Sequence, residues 1–242
     1  MKKLFIIFAC LIMIGCLNSQ TVPVSQSPQQ VEVKLRIEGV ENVKVAPEGD
    51  TIIRSMEIES DDLKLSSFTR IKGKTAYIKL YSGITTSDEL NVWYDLQYLK
   101  DKDVDTLCVY INSPGGNAFS GLGLADVLSS EEVREKYHII GYAMGMVASA
   151  AVPVFAVCEE RIASKCALFM VHETSLWKWP GRETRSDIKS QDKLMDLLSH
   201  KYLKILTDNS DLSLEEWTEM EGKTTWFTSE EAKEWGLVDK IE

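Results

Sequence analysis

Histidine is scarce in this chain, with 3 in 242 residues, and cysteine (5) and proline (6) are hardly commoner. No CxxC pair and no Cys/His cluster occurs, so structural zinc has no ligand set, and no other metal or cofactor is implied. No apolar run approaches the ~20 residues that cross a bilayer as a helix. Basic charge is also short, with 27 Lys and Arg against 37 Asp and Glu and a net charge of −10. That balance argues against nucleic acid as a partner, because phosphate binding needs a basic face. Cys10 and Cys16 fall in the N-terminal apolar stretch and leave Cys108, Cys158 and Cys166. Three is odd, and the two that fall in apolar runs read as buried free thiols. What remains is ordinary globular composition, 44% hydrophobic and 26% charged. The length allows one α/β domain of roughly 150–200 residues with a sizeable core.

The N-terminus stands apart from that domain. Met1-Lys2-Lys3 is a basic start, and Leu4–Ile14 is an apolar run of the length of a signal-peptide core. Ile14-Gly15-Cys16 resembles the lipobox at which bacterial lipoproteins are cleaved and acylated on cysteine, with Met13 in place of the usual leucine. Residues 1–16 therefore read as a leader with Cys16 as lipidation site, which implies an extracytoplasmic, membrane-anchored protein. A plain secretory signal or a short apolar anchor is the alternative. Residues 17–31, polar with scattered Pro and Ser, read as a tether. Residues 32–73 form an accessory segment: Val31–Ile37 alternates as a strand, and residues 40–73 are only weakly patterned.

From residue 74 to 242 the pattern sharpens into one domain. Ala76–Tyr81 reads as a strand, Thr86-Ser87-Asp88-Glu89 as a capping box opening a helix to about Leu99, and Leu107–Ile111 as a second strand. A helix over Ala118–Leu128 and a strand over His138–Ala143 follow, then an apolar helix from Ser149. Strands alternating with helices predict βαβ units and a parallel sheet. Ser186 to about Leu206 carries an apolar stripe through Ile188, Leu194, Leu197, Leu198, Tyr202 and Ile205 and predicts a long amphipathic helix. Ser213–Glu216 and Thr228–Glu231 are further capping boxes, with Gly236 as a C-cap.

Three motifs bear chemistry. Ser149 sits in Gly145-Met146-Val147-Ala148-Ser149-Ala150-Ala151, His172 ends Met170-Val171-His172, and Asn112-Ser113-Pro114-Gly115-Gly116 ends a strand. A serine hydroxyl needs a base to take its proton and donors to hold the developing oxyanion. Glycine amides can approach a carbonyl with no Cβ in the way. Each motif has a plain structural reading beside this one: Ser149 as an N-cap, His172 as a structural histidine, Pro-Gly as a turn. Their conjunction and order point to a nucleophile, a base and an oxyanion hole. His138 and His200 have weaker claims, one opening a strand and the other lying on the long helix.

These motifs resemble the proteolytic subunit of the caseinolytic (Clp) peptidases. The likeness runs from about Thr75 to Ile241 and includes Phe227–Asp239 as that family's C-terminal signature. It implies a ClpP/crotonase-like α/β fold, in which repeated ββα (βαβ) units wind into a superhelical core with a long protruding handle helix. It further implies Ser149 as nucleophile, His172 as base, and the amides of Ala150 and of Gly115 or Gly116 as oxyanion hole. Assembly into a homo-oligomeric ring follows from the same likeness. The family's triad aspartate falls on Thr225, between Thr224 and Trp226. Three accounts stand: Thr225 orients His172 by its hydroxyl; Glu173, Glu221 or Asp187 substitutes; or the protein binds peptides without cutting them.

The expected function is an ATP-independent serine endopeptidase that cuts peptides or unfolded segments outside the cytoplasm. An ATPase partner is not expected there, where ATP is scarce. The alternatives are a degenerate Clp-like binding or assembly module, or a Ser–Lys peptidase resembling signal peptide peptidase A, with Lys165 or Lys189 as base. Crotonase-type acyl-CoA enzymes share the fold but need a basic patch for nucleotide phosphates.

Overall fold

Alternating apolar residues from Thr75 onward build a sheet whose centre is parallel. The computed structural model describes residues 64–175 and 184–242. The leader with Cys16, the tether, the expected strand over Val31–Ile37 and most of the accessory segment lie outside the described residues.

Strand β1 (Thr69–Lys72) pairs antiparallel with β2 (Thr75–Tyr81) across a turn at Gly73. From β2 the sheet runs parallel through β3 (Thr106–Ser113), β4 (His138–Ala148) and β5 (Glu160–Ala163) to β8 (Lys240–Ile241). A branch leaves its middle. β6 (Leu168–Val171) runs parallel to the far end of β4, and β7 (Thr225–Thr228) is antiparallel to β6. The end of the accessory segment is fastened by Asp95, whose carboxylate accepts from Ser66 N at 2.7 Å, Ser66 Oγ at 2.6 Å and the Thr69 hydroxyl.

Seven helices are described: α1 (Thr86–Leu99), α2 (Ala118–Ser129), α3 (Glu131–Lys136), α4 (Ala151–Ala156), α5 (Arg185–Asp208), α6 (Leu214–Lys223) and α7 (Ser229–Glu234). Three starts differ from the sequence expectation, one being the helix expected from Ser149, which begins at Ala151. The α1 box is Thr85 with Asp88, one residue early, because the Asp88 carboxylate reaches Thr85 N at 2.8 Å. The α5 box is Thr184 with Asp187, so the helix begins at Arg185, just ahead of Ser186. The boxes at Ser213 and Thr228 form where expected, and Gly236 takes φ 70° after α7.

The α5 stripe is used unevenly. Leu198, Tyr202, Leu203 and Leu206 are buried, whereas Ile188 and Leu197 are about half exposed (52% and 51%). One face of the C-terminal half is therefore packed on the domain, while Ile188 in the first turn and Leu197 in mid-helix stay uncovered. Deeper in, Phe155, Phe169, Phe227 and Trp217 are fully buried and in mutual ring contact. They join α4, β6, β7 and α6 into one core, so the elements that carry the site share one packing unit.

Candidate active site

The site begins with a bend in β4. Residues Ile140–Ala143 pair with β5, but Met146–Ala148 pair with β6. Between them Gly145 takes φ 66°, a conformation that costs glycine little. The Asn112 side chain locks the bend by accepting from Met146 N at 3.1 Å. Two motifs far apart in sequence are thereby tied together.

Ser149 follows the strand and precedes α4. It takes φ 52°, left-handed backbone that costs a non-glycine residue on the order of 1–3 kcal/mol. The neighbouring backbone holds it there: Ser149 N donates to Met170 O at 2.8 Å, and Val152 N donates to Ser149 O at 3.0 Å. Ser149 is not an N-cap. Ala150 occupies that position with no side-chain cap bond, and the serine hydroxyl points elsewhere. His172 Nε2 lies 2.8 Å from Ser149 Oγ, within hydrogen-bond distance. Nucleophile and base candidates thus meet across 23 residues, because the β4–β6 pairing sets the end of β6 beside the end of β4.

The Pro-Gly-Gly turn is pressed against this pair. Gly115 takes φ 87°, and a Cβ there would lie 2.6 Å from Ala148 O and Ser149 Cβ and 2.8 Å from Ala150 N. Gly116 takes φ 151°, and a Cβ there would collide with the Ile84 backbone. Ile84 N donates to Gly115 O at 2.7 Å and Asn117 N to Ile84 O at 2.8 Å, which pins the turn from its far side. The Gly115 amide donates to Ser113 Oγ at 3.1 Å, and Ser113 in turn donates to Ser82 O. Of the amides named from the sequence, those of Gly116 and Ala150 carry no recorded hydrogen bond among the described residues. They are the two candidate oxyanion-hole amides with a free donor.

A cavity of about 30 Å³ adjoins Ser149 and His172, walled by Ala118, Leu122, Pro153, Leu198 and Tyr202. Its walls are mostly apolar. Neither Lys165 nor Lys189 lines it, and both are exposed. His138 faces Glu159 and Glu160 instead, and His200 is exposed on α5.

The acid side of the site departs from the simplest expectation. Thr225 pairs with Val171, the residue before His172, but its hydroxyl donates to Met220 O at 2.8 Å. Asp187 is spent on capping α5, where the hydroxyl and amide of Thr184 hold its carboxyl below the usual range. Glu173 is exposed. Glu221, in the last turn of α6, is 5% exposed, and Ser199 Oγ lies 2.9 and 2.7 Å from its two oxygens. Burial pushes the Glu221 carboxyl up, with the like charge of Glu173 adding; the Ser199 hydrogen bond and the influence of His172 pull it down. Sequence reasoning missed Asn112, Ser113, Ser199 and Tyr202 as supports. The first two sit inside a quoted motif, while the last two are legible only as i, i+3 neighbours on α5. Among the described residues no cluster of metal-ligating side chains occurs, and no helix is long and apolar enough to cross a membrane.

Comparison with known proteins bears on the same region. The Clp protease family model matches residues 63–242. The ATP-dependent Clp protease proteolytic subunit 3 of Rhizobium etli is 27% identical over 168 residues, covering 69% of this chain and 84% of that one. The proteolytic subunit 1 of Salinibacter ruber is 32% identical over 136 residues, 55% of each chain. A solved structure of a ClpP1 point mutant from Listeria monocytogenes aligns with a TM-score of 0.60 at 20% identity, covering 69% of this chain and 90% of that one. That likeness fixes the fold as ClpP-like α/β. Since the family match takes in the whole described sheet, from its antiparallel edge to β8, the chain belongs to the Clp protease family.

Proposed function

We propose that this protein is a serine endopeptidase that cleaves peptides or unfolded protein segments through an acyl-enzyme on Ser149. The observation that carries the reading is the 2.8 Å contact between Ser149 Oγ and His172 Nε2. Ser149 Oγ attacks the scissile carbonyl as its proton passes to Nε2. The amides of Gly116 and Ala150 take the oxyanion charge. His172 then returns the proton to the leaving amine, and water activated by the same imidazole releases the acyl group.

The protein works outside the cytoplasm, anchored through lipidated Cys16, and needs no ATPase. This part of the reading rests on the leader Met1–Cys16. The relatives above are named ATP-dependent; ATP independence is proposed here because ATP is scarce where a leader would deliver the chain. Assembly into a homo-oligomeric ring is supported by the family and by the exposed apolar side chains Ile188 and Leu197 on α5. A second reading, a binding module that does not cut, is favoured by one observation, the threonine at position 225 bonded away from His172.

A fluorophosphonate probe on the purified full chain separates these readings. Covalent labelling that disappears in Ser149→Ala and His172→Ala, but persists in Lys165→Ala and Lys189→Ala, is the expected result. Absence of labelling in the folded protein refutes the peptidase and leaves the binding module. Loss of labelling in a lysine variant alone would transfer the role of base to that lysine. Retention of the chain in the soluble fraction of its native host, unchanged by Cys16→Ala, would overturn the lipid anchor.

A further inference from the structure

We propose that Glu221, steadied by Ser199, is the positioning carboxylate that supports His172 in place of the acid absent at Thr225. This rests on the peptidase reading above and deepens it.

A carboxylate is among the most expensive groups to bury, and an unpaired one is destabilising unless something compensates it. Glu221 is 5% exposed, and among the described residues no Lys or Arg forms an ion pair with it. Its recorded hydrogen-bond partner is the single hydroxyl of Ser199, which has one proton to share between two oxygens. One turn further along α5, the phenolic oxygen of Tyr202 is buried without a hydrogen-bond partner among the described residues, and the charge of Glu221 reaches it. This is a buried acid with far less compensation than stability alone would call for.

Its location supplies the reason. Glu221 lies in the turn of α6 that leads into β7, and β7 pairs with β6 so that Thr225 stands opposite Val171, beside His172. His172 favours the ionised form of Glu221 electrostatically. In acyl transfer the imidazole becomes a cation as it takes the Ser149 proton, and a nearby fixed negative charge in a poorly solvated site stabilises that cation. Glu221 acts through the imidazole and does not touch substrate. Because it works by charge without a recorded hydrogen bond to Nδ1, its effect is smaller than that of a bonded triad acid.

Ser199 from α5 is hydrogen-bonded to Glu221, and Tyr202 from α5 and His172 and Glu173 from the segment after β6 interact with it electrostatically. Burial and the Glu173 charge raise its titration, so Glu221 becomes neutral at a higher pH than an exposed glutamate. A neutral Glu221 is electrostatically equivalent to glutamine. The rate advantage of wild type over Glu221→Gln is therefore present at neutral pH and disappears as pH falls through that titration.

The experiment measures the fluorophosphonate labelling rate of the full chain against pH for wild type and Glu221→Gln, with thermal unfolding beside it. Labelling about tenfold slower in the variant at neutral pH, converging with wild type in acid, is the expected result. Equal rates at neutral pH, or a ratio that does not change with pH, overturn the proposal. Absence of labelling in wild type refutes the peptidase reading itself and this inference with it, so the two failures are distinct. Should Glu221→Gln unfold early, adding Thr225→Asp decides: a recovered rate at an unrecovered midpoint supports the role, and a rate that stays low overturns it.

Discussion

The nucleophile side and the acid side of this site are built from different materials. Ser149 and the free amides are fixed by backbone: a left-handed serine, the bend at Gly145, and a Gly115 that leaves no room for a Cβ. The acid side is held by side chains, with Glu221 on Ser199 and the Thr225 hydroxyl turned to Met220 O. Backbone geometry of this kind narrows the residues that fit, to glycine at Gly115 and Gly116. A carboxylate that acts through space can be supplied from any of several positions on a neighbouring turn, because Coulomb interaction falls slowly with distance in a poorly solvated site. The comparison teaches that the nucleophile half is rigid in residue type and the acid half tolerant.

Gly115→Ala tests the rigid side and carries the largest expected effect. The added methyl meets Ala148 O and Ser149 Cβ at 2.6 Å, atoms that belong to the nucleophile turn and cannot rotate away. The φ of 87° is strained for alanine as well. Labelling of Ser149 is expected to fall by at least roughly 100-fold, as for loss of oxyanion-hole geometry. Stability falls by about 2–4 kcal/mol from overpacking and backbone strain, read from denaturant unfolding. A variant that labels normally would show that the turn yields, and would erase the contrast.

The same contrast explains what was legible in the sequence. The glycines of the turn and of the Ser149 motif announced backbone demands, and alternation in β2, β3 and β4 announced a sheet. These are local signals. The α1 cap fell one residue early because Thr85 and Thr86 each have an acid three residues on, and only the folded carboxylate distinguishes them. The short α3 was not expected, since Val133 is its single buried residue. On the acid side, Ser199 meets Glu221 only because α5 packs on α6, a contact 22 residues apart in sequence. Glu221 was one of three carboxylates open to the role, and spacing alone could not rank them. Burial separates them: Glu221 is buried, Asp187 sits on the α5 cap and Glu173 is exposed.

Thr225→Asp tests the tolerant side and ranks second in size. It sets a carboxylate on β7 opposite Val171, where the family's acid falls. If the acid side accepts a charge from either position, labelling rises by about tenfold over wild type, which is part of the roughly 10⁴ that a bonded triad acid contributes. An unchanged rate would mean that Glu221 already supplies what the site can use. A lower rate would mean that the hydrogen bond from Thr225 to Met220 O holds the end of α6 in place.

The smallest effect concerns stability. Glu221 titrates higher in the folded protein than in the unfolded chain, because burial penalises its charged form. A carboxyl with a raised folded value subtracts stability as pH rises from its unfolded to its folded value, and the loss persists above that window. Glu221→Gln removes the charge and keeps an acceptor for Ser199. The variant is therefore expected to match wild type in acid and to exceed it at neutral pH by on the order of 1 kcal/mol, measured by denaturant midpoints at both pH values. A variant that is more stable and slower at once would mark Glu221 as a charge kept for chemistry. A variant less stable at neutral pH would mean that the carboxylate is paired well enough to hold the fold, and the acid side would then be as rigid as the nucleophile side.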